Sequence, residues 1–531
     1  MKEQVSFHRP KNSRWLKAAL AISMLFPSGC TTLREYVRNG YKVGPQYAKP
    51  PAPVADDWID TVDKRLIKDP DEHRRWWANF KDPNLDSLIC MASQQNLTLR
   101  EAGFRVLASR AKLAITVGEF FPQQQFANGS FTQHGLSTAV ANRQFIAQGY
   151  YPQWNYGAGL AWELDFWGRY RRAIESASNN LDASIENYDS AMVLLLGDVA
   201  ESYVLMRYFE SQAAITQSVA EFQQESLTIA QARFRGGLVS ELDVDQAQAD
   251  LSKTLSEVPN FKAFARIESN RLCQLLGIAP EDLEKRLGKG PIPSAGPEVA
   301  LGVPAELLTR RPDVRQAERQ AAEACANIGV ATSELYPHIS LVGTFGWSAL
   351  NYSNLYTPQA FTGTAGPAFQ WNIFNYGRLV NNVRLQDATF QAAIANYQQV
   401  VVKAGAEVED GVIRFLTGQD RIKELEKAVD AAMRAAKIAQ VQYKAGTVDF
   451  NRVSLLQEKL YDRQISLANA RRETASGLVQ TYKALGGGWQ IRLDGCTPTP
   501  INEGASDTSP ADLPKPRRED PAAQPKPPAG N

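Results

Sequence analysis

The chain repeats itself. Trp162-Glu-Leu-Asp-Phe-Trp-Gly168-Arg169 returns as Trp371-Asn-Ile-Phe-Asn-Tyr-Gly377-Arg378, Ile185-Glu-Asn187-Tyr188 as Ile394-Ala-Asn396-Tyr397, and Phe234-Arg-Gly-Gly237 as Tyr443-Lys-Ala-Gly446. All three pairs share an offset of 209 residues, so the halves keep register from Trp162 to Gly237. Upstream, Phe120-Phe121-Pro122 matches Leu335-Tyr336-Pro337 at an offset of 215, which places a six-residue insertion in the first half. A tandem duplication means that one structural unit is built twice. Each unit reads as a helix (about 85–119 and 305–334), two strands joined by a loop, a very long helix, a glycine turn and a second long helix.

The strand runs alternate with period two. Trp154, Tyr156, Ala158, Leu160, Trp162 and Leu164 share one face, against Asn155, Gly157, Gly159, Ala161 and Glu163. Ile339, Leu341, Phe345 and Trp347 oppose Ser340, Val342, Thr344 and Gly346; Phe361, Ala365, Phe369 and Trp371 oppose Thr362, Thr364 and Gln370. The run 124–133 alternates less clearly. Strands of about 10 residues with one apolar, aromatic-rich face fit an outer-membrane barrel. A half-buried soluble sheet alternates identically, so the N-terminus and the strand count decide. Four strands cannot close a membrane barrel, which needs about eight; such a chain supplies part of a barrel and oligomerises.

The helices are too long for a globular domain. Leu181, Ile185, Tyr188, Met192, Leu195, Val199, Ser202, Met206 and Phe209 step by fours and threes, a heptad seam. Phe390, Ile394, Tyr397, Val401, Ala404 and Val408 repeat it. From Gly168 to Gly237, and from Gly377 to Gly446, lie 69 residues, about 100 Å as straight helix. Helices of that length bridge a wide aqueous compartment.

The first thirty residues carry an address. Lys2, Arg9, Lys11, Arg14 and Lys17 precede an apolar run from Ala18 to Phe26, too short to span a bilayer as a helix. The run ends in Pro27-Ser28-Gly29-Cys30, similar to a lipobox except for Pro27 where leucine is usual. Cys30 is the expected lipidation site and first mature residue, and Thr31 behind it is not the aspartate of inner-membrane retention. No later run is apolar enough for a transmembrane helix. The net charge of +1 speaks against a nucleic-acid partner. The four histidines lack partners at metal-ligand spacing, so no metal or cofactor is expected beyond the covalent lipid. Cys90, Cys273 and Cys325 read as small apolar residues of helix cores rather than disulfide partners.

The chain resembles the TolC-like outer-membrane factors, specifically the lipidated OprM/NodT branch. The resemblance runs from Val43-Gly-Pro-Gln-Tyr47 almost to Gly488. It is carried by Trp76-Trp77 with Phe80, Asp82-Pro83 and Leu85, by Asn96, and by Trp162–Arg169. It continues in Leu238-Val-Ser-Glu-Leu-Asp243, Leu307-Leu308 with Arg310-Arg-Pro-Asp313, Glu407-Val-Glu409-Asp410 and Tyr482-Lys-Ala-Leu-Gly-Gly-Gly488. The resemblance implies an α+β membrane protein: a homotrimer with a twelve-stranded transmembrane barrel, four strands per chain, above a long helical periplasmic barrel. It implies a non-enzymatic exit duct for drugs or other small toxic compounds, served by a periplasmic adaptor and an inner-membrane transporter of the resistance-nodulation-division type. A type I protein-secretion conduit shares that fold. A periplasmic adaptor is the more distant alternative, since it would carry one helical hairpin rather than two.

The segments expected are a signal peptide (1–29), a lipid-anchored segment (30–84), repeat 1 (85–277), an equatorial linker (278–304), repeat 2 (305–488) and an equatorial end with a disordered proline-rich tail (489–531). In the resembled family the periplasmic helix tips pinch the duct shut. Here those tips are the turns at Gly236-Gly237 and Gly446. The family's linking aspartate corresponds to Asp243, its tyrosine to Tyr443, and Arg452 stands where a lumen-facing aspartate is frequent. The expectation is that Asp243 bonds Tyr443 or pairs with Arg452 in the closed duct.

Overall fold

A computed structural model describes residues 33–67, 72–137, 139, 149–294, 296 and 298–496. The signal peptide, Cys30 and the proline-rich tail lie outside the described residues.

The strands of the two repeats join in one antiparallel sheet, β2 (Gln124–Gly135), β3 (Tyr150–Leu164), β5 (His338–Ala349) and β6 (Phe361–Gln370), in the order β2-β3-β5-β6. A two-residue parallel pair, β1 (Leu66–Ile67) with β4 (Val299–Ala300), lies elsewhere. The less regular run at 124–133 is a full strand. Directly opposed residues share a face, so register sorts the chemistry across the sheet. Phe131 opposes Trp154, Trp347 opposes both Tyr156 and Phe361, and Leu341 opposes Trp162. On the other face Ser130, Asn155 and Ser348 form one row, and Thr344 opposes Thr364. That face is hydrogen-bonded: the Gln153 amide donates to Ser348 Oγ at 3.0 Å, Ser348 to Asn155 Oδ1 at 2.9 Å, and the two threonine hydroxyls meet at 2.9 Å. Phe126, Tyr151 and Val342 are its large apolar or aromatic members. The outer edges of β2 and β6 have no strand partner among the described residues.

Below the sheet run the helices. A short α1 (Leu33–Arg38) leads in. α2 (Pro83–Gln95) and α3 (Leu97–Gly118) precede β2; α4 (Arg169–Arg235) and α5 (Glu241–Leu276) follow β3. After α6 (Leu283–Leu287), α7 (Leu307–Arg310) and α8 (Pro312–Ser333) precede β5. α9 (Arg378–Ala445), α10 (Phe450–Ala484) and α11 (Ile491–Asp494) complete the chain. Side by side the order is α3, α4, α8, α9, with α5 and α10 folded back as the second arms of two hairpins. α4 and α9 span 67 and 68 residues, about 100 Å each. Each starts behind a left-handed glycine, Gly168 (φ 82°) and Gly377 (φ 80°), that lets the chain leave the sheet and turn straight into helix. The heptad seam is where burial concentrates: Met192, Val199 and Met206 on α4, and Tyr397, Val401, Ala404 and Val408 on α9, are buried.

The main core sits at the equator. Trp76, Trp77, Leu196, Tyr203, Leu272, Tyr397, Phe415 and Tyr482 belong to it. The Gly486–Gly488 run fits only without side chains: a Cβ on Gly487 would lie 2.7 Å from the His73 carbonyl, and one on Gly488 2.9 Å from Leu196. Arg311, nearly buried, reaches Asp313 at 2.6 Å, Glu407 at 2.9 Å and the Ala484 carbonyl at 2.6 Å, tying the start of α8 to α9 and the end of α10.

Residues 36–65 form a strap from the foot of the sheet to this equator. Tyr36 donates to the Phe166 carbonyl at 2.6 Å, Arg172 to the Val43 and Gly44 carbonyls at 3.1 Å, Trp58 to the Gly302 carbonyl at 3.1 Å, and Arg65 to Asp420 at 3.1 Å. Gly44 is required, since its Cβ would lie 2.5 Å from Gly329 Cα.

Two expectations are corrected. Cys90 is joined to Cys496 by a disulfide with Cα atoms 5.8 Å apart, so it is a cross-link rather than an apolar filler; Cys273 and Cys325 are buried and free. The leading helices are also not continuous. Asn96 separates α2 from α3 as a cap that accepts from Leu99 N at 2.7 Å. Pro312 forces Arg311 into an extended conformation between α7 and α8.

Candidate functional site

The far ends of the two hairpins carry their own small core, separate from the equator: Leu227, Ala230, Leu251, Ala439, Tyr443, Phe450 and Val453. The turns are made by glycine. Gly237 and Gly446 take φ of 69° and 83°, which glycine adopts without steric cost. Asp449 caps α10 by accepting from Arg452 N at 2.9 Å.

Tyr443, on the last turn of α9, is 1% exposed and donates its hydroxyl to Asp243 Oδ2 on α5 at 3.0 Å. Burial, and then the bond to Asp243, hold that hydroxyl above the usual phenol range. Phe450 meets the ring edge to face at 5.4 Å. Arg233, on the last turn of α4, stacks its guanidinium over the ring at 4.6 Å and donates to the Tyr443 carbonyl. Two further rungs tie the hairpins: Ser454 donates to Asp250 at 2.5 Å, and Gln457 to Ser226 at 2.8 Å.

Of the three residues read from the sequence, the structure brings two together. Asp243 bonds Tyr443 and not Arg452, whose exposed side chain makes no ion pair among the described residues. Arg233, Asp250, Ser454, Ser226 and Gln457 were not legible as linking residues. Arg233 sits three residues before Gly236, where a basic residue reads as an ordinary complement to a helix C-terminus. The others occur in polar helical sequence without pattern.

Residues 88–278 and 303–487 match the family described as outer membrane efflux protein, and the chain belongs to that family. Its similarities fall among the OprM/NodT-type channels. It is 28% identical over 480 residues to Nodulation protein T of Rhizobium leguminosarum bv. trifolii, covering 88% of this chain and 98% of that one. It is 30% identical over 426 residues to the pyoverdine export outer membrane protein OpmQ of Pseudomonas putida, covering 78% and 88%. Among solved structures, the outer-membrane channel OprN superposes with a TM-score of 0.79 at 32% identity, over 84% of this chain and 99% of that one. The Campylobacter jejuni CmeC outer membrane channel shares the fold, with a TM-score of 0.77 at 21% identity over 84% and 95%. The protein is an outer-membrane efflux channel.

Proposed function

We infer that three copies of this chain form the exit duct of a tripartite efflux pump, anchored by a lipid on Cys30. The observation that carries the reading is the four-stranded sheet: unpaired at both edges among the described residues, rich in aromatic and aliphatic side chains on one face and hydrogen-bonded polar on the other. Such a sheet is stable in a bilayer only when its edges are paired, because unpaired backbone groups in hydrocarbon cost several kcal/mol each. Three chains give twelve strands, an even number within the range of membrane barrels, with the Thr344–Thr364 face lining water. The hairpin tips then lie in the periplasm, where an adaptor and an inner-membrane transporter of the resistance-nodulation-division type deliver small toxic compounds. The Tyr443–Asp243 bond, the Arg233 stack and the two rungs beside them hold the tip closed. The strap supports the anchor, because α1 begins three residues beyond Cys30 and packs at the foot of the sheet. Purified protein in planar bilayers tests the reading. A duct conducts, and conducts more when the tip links are cut; absence of any channel activity in correctly inserted protein overturns it.

A further inference from the structure

The seam between the two repeats is visible in one chain; the seam between neighbouring chains is not. We propose that the second copies the first, so that Arg378 pairs with Glu119 of the partner subunit and Thr364 on β6 lies opposite His134 of the partner subunit on β2. This rests on the oligomeric reading above and specifies its contacts.

The repeats share internal geometry. Trp162 Nε1 donates to the Phe120 carbonyl at 3.2 Å, and its repeat mate Trp371 donates to the Leu335 carbonyl at 3.0 Å. Ser130 opposes Asn155 in the first hairpin as Thr344 opposes Thr364 in the second. The strand equivalence is therefore 209 residues for β3 to β6 and 214 for β2 to β5, one less than between the preceding prolines.

At the foot of the visible seam, Arg169 meets Glu334 at 3.2 Å and Glu163 at 3.2 Å, while His338 bridges Glu163 at 2.7 Å and Glu334 at 3.5 Å. Trp167 stacks on Tyr336 at 4.5 Å. Carried through the repeat, Arg169 becomes Arg378, Glu334 becomes Glu119, Trp167 becomes Tyr376 and Tyr336 becomes Phe121. In the single chain these mates are left over. Tyr376 is 101% exposed and Phe121 58%, and Arg378 and Glu119, both exposed, make no ion pair among the described residues. The helix faces agree. Ser176 on α4 and Ala322 on α8 are buried, whereas their mates Leu385 on α9 and Leu107 on α3 are 60% and 54% exposed. Asn155 opposing Ser348 across the visible seam translates to Thr364 opposing His134 of the partner subunit. Parity is preserved, so both residues stay on the polar face. The copy is weaker than its template: Glu163 and His338 correspond to Asn372 and Gln124, which leaves one ion pair where the template has a network. A head-to-tail contact of this kind builds a ring when its rotation closes.

The test uses the full-length protein in outer-membrane vesicles. Under mild oxidation, Thr364→Cys combined with His134→Cys should give a covalent ladder ending at the closed ring on non-reducing gels, with each single variant remaining monomeric. Cross-linking of Thr364→Cys with Thr132→Cys instead, in protein whose native mass is that of the oligomer, overturns the register while the oligomer stands. A monomeric native mass overturns both readings. Arg378→Glu and Glu119→Arg should each lose heat-resistant oligomer, and the two together should recover it; neutral single variants, or no recovery, remove the ion pair.

Discussion

Tyr443 spends its only donor on Asp243 in a site closed by Phe450 and Arg233. Removing that donor leaves an acceptor at a partly exposed position, so the fold survives and the link is lost. A neutral hydrogen bond contributes about 0.5–1.5 kcal/mol and one to a charged group about 1.5–3 kcal/mol. Asp243→Ala with Tyr443→Phe should therefore raise the open fraction of the tip by roughly tenfold or more, read as increased conductance in planar bilayers. Arg452 is exposed and takes no part in that link, so Arg452→Asp should shift ion selectivity toward cations without the same rise in conductance. Unchanged conductance and selectivity would remove these residues from the gate. Arg311 is a different case. It is 7% exposed between Asp313 and Glu407, whose carboxylates are a third exposed, and its removal costs those charged hydrogen bonds together with the one to the buried Ala484 carbonyl. Arg311→Leu should destabilise the chain by roughly 1.5–3 kcal/mol, measured as a lower midpoint in thermal melts, whereas Arg310→Leu, whose ion-pair partner among the described residues is the half-exposed Glu306, should cost less.

At the scale of the element, the sheet faces are the sharpest assignment. Leu160 and Leu341 lie on the aromatic face, two registers apart, and Thr364 lies on the face where hydroxyls and amides bond one another. Replacing Leu341 by arginine near the bilayer midplane should cost about 2–4 kcal/mol in a membrane-assembly assay. Thr364→Arg should assemble and lower conductance. Equal tolerance of charge on both faces would disprove the barrel. Among the helices, none described is long and apolar enough to cross a membrane; α4 and α9 bury their heptad seam against other helices instead. Their ends are set locally, by Gly168 and Gly377 at the sheet and by Gly236 and Gly446 at the tip.

At the scale of the whole molecule, two fastenings hold the ends of the chain. The strap carries the N-terminal segment to the foot of the sheet, which is where a lipid on Cys30 would enter the periplasmic leaflet. Mass spectrometry of the mature terminus should show a diacylated Cys30, and Cys30→Ala should lower abundance or sorting more than it abolishes insertion, since strands also anchor the protein. An unmodified terminus would refute this. The other fastening is Cys90–Cys496, which closes the chain across 406 positions. Cys496→Ser should lower stability by about 2–4 kcal/mol, seen as a lower melting temperature that reducing agent reproduces in the native protein and leaves unchanged in the variant.

The sequence by itself determined what is periodic or repeated. The duplication, the alternation of the strands, the heptad seam and the turns at Gly237 and Gly446 are written locally, because period, glycine and proline act over a few residues, and each was where the chain places it. Only the tertiary structure decided what depends on partners far apart in the chain. The pairing of Cys90 with Cys496, the choice of Tyr443 over Arg452 by Asp243, the Arg233 stack and the strap over Arg172 and Gly329 join segments separated by roughly one to four hundred residues. No local pattern encodes such a choice; it is made when the long helices come into register and bring a particular donor within 3.0 Å of a particular acceptor.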